Sequence, residues 1–230
     1  MSLSFTERLK LNFLEQDRWK YIVRGLGTTL LITVVAAAIG IALGFLIAVI
    51  RSTYDKTGHL KILNAICKVY LTVIRGTPTT VQLMIVYFII FSSVNKPLLS
   101  AFIAFGLNSA AYVAEIVRSG IMSINPGQME AGRSLGLSYR ASMWYIIIPQ
   151  AFKNVLPALT NEFIVLLKET SICMAISLKD LTYGSTLISS QTYDYFYPLI
   201  MTALIYLLFV MLLTWLFGIL ERRLRSNERR

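Results

Sequence analysis

The chain has 230 residues, 56% of them hydrophobic and only 15% charged, with a formal net charge of +10 and a mean hydropathy of +0.63. Soluble domains run nearer about 45–50% apolar and about 25% charged, so this profile excludes an ordinary soluble domain and makes a bilayer the expected solvent. The basic residues sit in an amino-terminal arm, in loops between apolar runs and in the tail, a distribution that sets membrane orientation and argues against nucleic acid.

Residues 1–20 form a polar, amphipathic arm, and the apolar run after it is too long and lacks a small-residue cleavage site for a cleavable signal. A span needs about 20 mostly apolar residues. The first candidate, Tyr21 to Ile50, carries small residues (Gly40, Ala42, Gly44, Ala48) that allow close helix packing. The second, Leu60 to Phe91, is interrupted by Arg75-Gly76-Thr77-Pro78. It reads as one span bent at Pro78, with two short helices as the alternative. The third covers Leu98 to Ile121. A fourth, less apolar, covers Phe152 to Ile176, and the fifth covers Pro198 to Leu220. Together they predict an all-α integral membrane domain over 21–221, with a polar loop at about 122–149 and a basic tail at 222–230.

Five spans place the termini on opposite sides. The arginine-rich tail then marks the cytoplasm, with Arg51, Lys56 and Lys61 in one loop and Arg133, Arg140 and Lys153 in another. The arm fits this scheme poorly. It is placed outside with five basic residues (Arg8, Lys10, Arg18, Lys20, Arg24) against three acids, and a sixth span would bring it inside.

The polar loop has its own structural logic. Asn125 suits an N-cap and Pro126 the first helical position. Glu130 is expected in the first turn, favoured by the helix dipole. Gly136 is a natural stop and Ser138 a second cap. Two short helices at an angle would make a knob on the membrane surface. Read from charge pattern alone, an interfacial connector with Trp144 and Tyr145 as belt aromatics explains the loop equally well.

Ionisable groups inside spans cost about 2.5–3.5 kcal/mol near a helix centre and face a pathway or a partner. Arg75 and Thr77 lie at the proline break. Arg75 is placed to receive a carboxylate through paired hydrogen bonds, or to hold the bundle by pairing with Glu115 or Glu162. Asn161 and Glu162 lie mid-way along the fourth span, open to a substrate ammonium or to an interhelical contact. Glu115 and Arg118, three apart, suit an intrahelical ion pair. Met84, Tyr87 and Phe88 read as packing. His59 reads as a solvated loop residue, and Cys67 and Cys173 lack metal-ligand spacing.

The run Glu130-Ala131-Gly132-Arg133-Ser134-Leu135-Gly136, followed by Ile146-Ile147-Ile148-Pro149, resembles the Glu-Ala-Ala…Gly…Ile-x-Leu-Pro signature of the membrane subunits of ATP-binding-cassette importers. Glu130, Ala131, Gly136, Ile146 and Pro149 match in register. Gly132 replaces the second alanine, which would loosen the helix by up to about 1 kcal/mol, and Ile148 replaces the leucine. The likeness extends to Val73-Ile74-Arg75-Gly76-Thr77-Pro78, to Ala111 through Arg118, to Leu156 through Phe163 and to Lys168-Glu169-Thr170-Ser171. These stretches resemble the branch serving polar amino acids such as glutamine, glutamate, histidine, arginine, lysine or cystine.

The resemblance implies a type I importer-like fold of about five spans. It implies two ATPase subunits docked on Glu130, Ala131, Gly132, Arg133, Gly136, Ile146 and Pro149, a second permease subunit, identical or related, and an extracellular or periplasmic solute-binding protein. Its substrate pathway would use Arg75, Thr77, Glu115, Asn161 and Glu162. ATP and magnesium would be bound by the ATPase, and no cofactor by this chain, which carries no phosphate-cradling G-x-x-x-x-G-K-[ST] loop. Two rivals differ in class. One is an ion-gradient-driven secondary carrier, for which no self-similar halves are visible. The other is a non-transporting membrane scaffold.

Overall fold

The computed structural model describes residues 4–226. Ten α-helices follow in chain order: α1 (Phe5–Leu9), α2 (Trp19–Thr57), α3 (Lys61–Gly76), α4 (Thr79–Ile85), α5 (Pro97–Met122), α6 (Pro126–Ser134), α7 (Tyr139–Ser142), α8 (Ile148–Glu169), α9 (Leu181–Thr192) and α10 (Phe196–Ser226). π-helical turns extend α4 (Val86–Ile90) and α7 (Met143–Ile147), and a 3-10 stretch (Thr170–Ile176) follows α8.

Three helices are long and apolar enough to cross a membrane over Trp19–Asp55, Pro97–Met122 and Phe196–Leu224, and the broken pair Lys61–Gly76 and Thr79–Ile90 makes a fourth if counted as one span. The expected single bent span is therefore two helices. Thr77 is fully extended between them (φ −122°, ψ 148°), because the residue before a proline is pushed out of the helical region. The residues of the expected fourth span lie in α8 and its 3-10 extension, which is not among the helices long and apolar enough to cross a membrane. Lys153, Glu162, Lys168 and Glu169, together with Gln150, Asn154 and Asn161, lower its hydropathy. Through the first residues of the basic tail α10 continues to Ser226, and 227–230 lie outside the described residues.

Two compact units divide the chain. The first combines residues up to Ala37 with Thr79–Gly106 and Ile164–Leu213. Its core is Phe13, Ile22, Leu181 and Ile188, flanked by Leu26, Met201, Ile205 and Tyr206. Here α2 and the start of α9 touch backbone to backbone. A side chain at Gly25 would strike Asp180 and Leu181, and one at Gly184 would lie 2.7 Å from the Tyr21 carbonyl oxygen. Thr29 Oγ1 accepts from the Leu181 N–H at 3.2 Å, so the contact is also satisfied polarly.

The second unit combines Ala38–Pro78 with Leu107–Phe163 and the chain from Thr214 onward. Ala48, Val113, Val117, Ile121, Ile147, Ala151 and Val155 form its core. Of the four small residues expected to let α2 pack closely, Gly40 lies against Ser109, Gly44 against Val113, and Ala48 is fully buried. Ala42 faces outward. The three that pack recur every four residues, which keeps them on one helical stripe.

Candidate functional site

The polar loop folds as the knob its turn residues dictate. Asn125 Oδ1 accepts from the Gly127 N–H at 2.8 Å and Pro126 opens α6. Each such cap is worth about 1 kcal/mol. The helix ends where Gly136 adopts φ +84°. The Leu137 N–H then returns to the Gly132 carbonyl at 3.1 Å and the Gly136 N–H to Arg133 at 3.0 Å, a paired closure that wants glycine at the left-handed position. Ser138 Oγ accepts from the Ala141 N–H at 3.2 Å and starts α7. One expectation fails. Glu130 is the fifth residue of α6, and its first turn holds no acid, so the helix dipole does not account for Glu130.

The knob has two faces. Met129, Met143 and Ile146 pack inward against the core of the second unit, and Gly132 is buried. A side chain at Gly132 would lie 2.8 Å from Ile146 Cδ1 and 2.9 Å from Ser142 Oγ. The glycine that departs from the signature is thus a contact point where α6 meets α7. Glu130, Ala131, Arg133, Gly136 and Pro149 are exposed, and Leu135 stands 83% exposed at the end of α6. Glu130 and Arg133 also edge a cavity of about 590 Å³ with Thr57, Met129 and Tyr139. Trp144 and Tyr145 point outward, as belt aromatics would.

The second unit also holds a charge cluster. Arg118 bridges Glu115 at 2.8 Å, the expected intrahelical pair, and Asp55 at 3.3 Å. Arg51, expected in a loop, lies inside α2 and reaches Glu115 at 3.2 Å. Arg75 reaches the same Glu115 oxygen at 3.9 Å and sits over the Tyr112 ring. It does not meet Glu162. Three guanidinium groups share two carboxylates, and Arg75 is the most loosely held and most exposed, at 44%. It faces a cavity of about 590 Å³ lined also by Tyr112, Glu115, Ser119, Ser123 and Asn154.

Glu162 belongs to a separate group, where it accepts from Ser109 Oγ at 3.1 Å. Asn161 is exposed beside it. Thr77 is exposed and donates to the Val73 carbonyl at 2.8 Å, capping the broken end of α3. The five pathway candidates are therefore not one site: Arg75 and Glu115 meet, Glu162 stands apart with Ser109, and Thr77 closes a helix end. Asp55, Arg51 and Ser109 escaped sequence reasoning. The register of α2 could have revealed the first two, since Arg51 and Asp55 are four apart and share a helical face. Met84 and Phe88, read as packing, are 40% and 54% exposed, so neither is buried within this chain. Tyr87 donates to Asn95 Oδ1 at 2.9 Å, and His59 is solvated as expected.

Residues 40–226, which contain the knob and both polar groups, match the binding-protein-dependent transport system inner membrane component family. The chain belongs to this family. It is a membrane-embedded permease subunit, not a catalytic chain in its own right, and membership implies ATPase and binding-protein partners. The permease is 41% identical over 211 residues to the arginine transport system permease protein ArtQ of Bacillus subtilis (strain 168), covering 90% of this chain and 94% of that one. It is 32% identical over 226 residues to the L-cystine transport system permease protein TcyB of the same organism, covering 97% and 94%. A crystal structure of an amino acid ABC transporter with histidines superimposes with a TM-score of 0.85 at 40% identity, over 97% of the permease and all of that chain. The inward-facing MetNI methionine transporter shares the fold at 20% identity, with a TM-score of 0.73.

Proposed function

We propose that this permease moves polar L-amino acids across the cell membrane, driven by two ATPase subunits that grip the knob. The observation that carries the reading is the division of the knob. Gly132, Met129 and Ile146 tie it to the spans, while Glu130, Ala131, Arg133 and Leu135 are left for a partner. A partner that pulls on the outward face moves α5 and α8 directly, because the knob is the only chain between them. ATP and magnesium belong to that partner, and this chain binds no cofactor.

The knob and the carboxyl terminus are cytoplasmic in this scheme, and the arm is outside. A second permease, identical or related, completes the pathway, and a solute-binding protein delivers substrate from outside. Amino acids suit the two polar groups: Arg75 can meet a carboxylate, and Glu162 an ammonium or a basic side chain. The relatives named for arginine and cystine support the same substrate class. ATP binding would close the ATPase pair and shift the permease outward-open, and hydrolysis would return it.

The deciding experiment is reconstitution with the ATPase and solute-binding protein in proteoliposomes, following labelled amino acids. ATP-dependent accumulation is expected. Accumulation that needs an ion gradient and no ATP would make the chain a secondary carrier, and ATPase docking without flux would make it a scaffold.

A further inference from the structure

The amino-terminal arm is more firmly built than its composition suggests. Ser4 and Glu7 cap α1 reciprocally, with the Ser4 N–H donating to Glu7 Oε2 at 2.7 Å. Asn12 is fully buried, donates to Asp194 Oδ2 at 3.2 Å and accepts from Thr192 Oγ1 at 2.8 Å. Arg18 is buried and donates to Gln191 Oε1 at 3.2 Å, to Gln16 and to the Leu11 carbonyl. Arg8 pairs with Asp194 at 3.6 Å, and Lys20 pairs with Asp17. Of the five basic residues that fit the expected topology poorly, Arg18 is thus buried among neutral acceptors, while Arg8 and Lys20 carry ion pairs nearer the surface.

Lys10 is different. It is exposed and forms no ion pair among the described residues. It stands at a groove of about 350 Å³ between the arm and α10, and is the one charged residue lining it. Phe13 and Leu14 of the arm, Trp19 and Val23 at the start of α2, and Met201 and Ile205 of α10 line it. Leu14 is 64% exposed and Trp19 44%, and α10 is one of the helices apolar enough to cross the bilayer.

We infer that this groove seats an acyl chain of an anionic phospholipid, with the lipid phosphate against Lys10. An apolar channel walled by a spanning helix has lipid as its surrounding medium. A half-exposed tryptophan in its lining suits the headgroup level, and the one charged residue of that lining selects an anionic head over a zwitterionic one. The arm then acts as a clamp that holds a lipid against α10, and the firm network from Asn12 and Arg18 to the α9–α10 turn keeps that clamp closed.

The test uses the assembled transporter in nanodiscs containing phosphatidylglycerol or phosphatidylcholine with a photoactivatable acyl chain, followed by mapping of labelled peptides. Labelling is expected to concentrate on peptides containing Leu14 and Ile205. The phosphatidylglycerol probe should win by about fivefold, the worth of one lysine near an anionic surface. Lys10→Glu should erase that preference, while Val23→Trp, which fills the groove, should remove the labelling; Ile205→Trp fills it from the other wall should the first variant fail to insert. Equal labelling by both probes, or labelling spread evenly along α10, overturns the inference. Loss of labelling when the solute-binding protein is added also overturns it, by assigning the groove to a protein partner. None of these readouts requires transport, so the inference and the transport reading fail separately.

Discussion

Gly132 and Ile146 meet where the two short helices of the knob cross, so closely that a Cβ at 132 would stand 2.8 Å from Ile146 Cδ1. The signature alanine at this position has become glycine, and the close approach explains why glycine is tolerated. The helix-forming ability lost, up to about 1 kcal/mol, is offset by a tighter joint between α6 and the turn after α7. Gly132→Ala should therefore change thermal stability by less than about 1 kcal/mol, because the far end of Ile146 can give way. Gly132→Leu cannot be absorbed. It should leave membrane insertion intact and reduce ATP-driven uptake severalfold, measured in proteoliposomes. Normal uptake by the leucine variant would mean that the joint does not carry the coupling.

Glu130 and Arg133 point away from that joint. Glu130→Lys should release the ATPase without disturbing the fold, since the side chain is exposed. Surface substitutions of this kind usually change stability by less than about 0.5 kcal/mol. Co-purification of the ATPase with the variant checks the prediction. Retained ATPase together with normal transport would place the docking contact elsewhere, with exposed Leu135 the next candidate.

The caps and stops of the knob were legible in the sequence because each is a local matter: Asn125, Pro126, Gly136 and Ser138 act on backbone groups within a few residues. Glu130 falls in the second turn because α6 begins at Pro126 and a turn takes about 3.6 residues. The pathway residues were legible as types but not as partners. Arg75 could pair with Glu115 or Glu162 on chemistry alone, and only the packing of α3 against α5, through Leu71, Ala111 and Ala114, decides for Glu115. Falling hydrophobicity around Arg51 suggests a loop. Yet α2 runs on to Thr57, and its last turns carry charges that are matched across the unit. The contacts of the arm are the least legible, since Asp194, which pairs with Arg8, and Gln191, which accepts from Arg18, lie more than 170 residues away.

Glu115 holds three arginines. Glu115→Gln would leave Asp55 alone against Arg51, Arg75 and Arg118, in side chains between 14% and 44% exposed. Discounting for that exposure, the expected loss is about 1–3 kcal/mol, seen as a lower melting temperature in detergent. Arg75→Lys should cost under about 1 kcal/mol, because the Arg75 contact is long and half open to solvent. If Arg75 meets the substrate carboxylate, the same variant should raise KM severalfold, since lysine lacks the paired geometry. An unchanged KM would make Arg75 a member of the ion cluster only.

Glu162 should report on the charge of the cargo. Glu162→Gln keeps an acceptor for Ser109 while removing the negative charge. Uptake of basic amino acids is expected to fall more than uptake of neutral ones in a side-by-side panel. Equal effects, or none, across acidic, neutral and basic substrates would assign Glu162 to holding α5 and α8 together.

Asp180 provides a pH signature in the first unit. It is fully buried and caps α9, with Oδ1 accepting from the Tyr183 N–H at 2.9 Å and Oδ2 from the Thr182 N–H at 3.2 Å. Burial pushes its carboxyl up to about 6, against the pull of those backbone donors. An unfolded aspartate titrates near about 3.9. The folded chain therefore holds this proton more tightly than the unfolded one, so stability from this group is full below about pH 4 and is lost as pH rises through about 6. Asn is an equally good cap, retains the bond from Tyr183 and carries no charge to desolvate. Asp180→Asn should accordingly melt higher than the parent at pH 7.5, by on the order of 1–2 kcal/mol, with the gap closing as pH falls towards 4. Thermal unfolding in detergent at several pH values measures this directly. A variant less stable than the parent at pH 7.5 would show that the two backbone donors, with Arg24 and Lys179 lining the adjoining small cavity, outweigh the cost of burying the carboxylate.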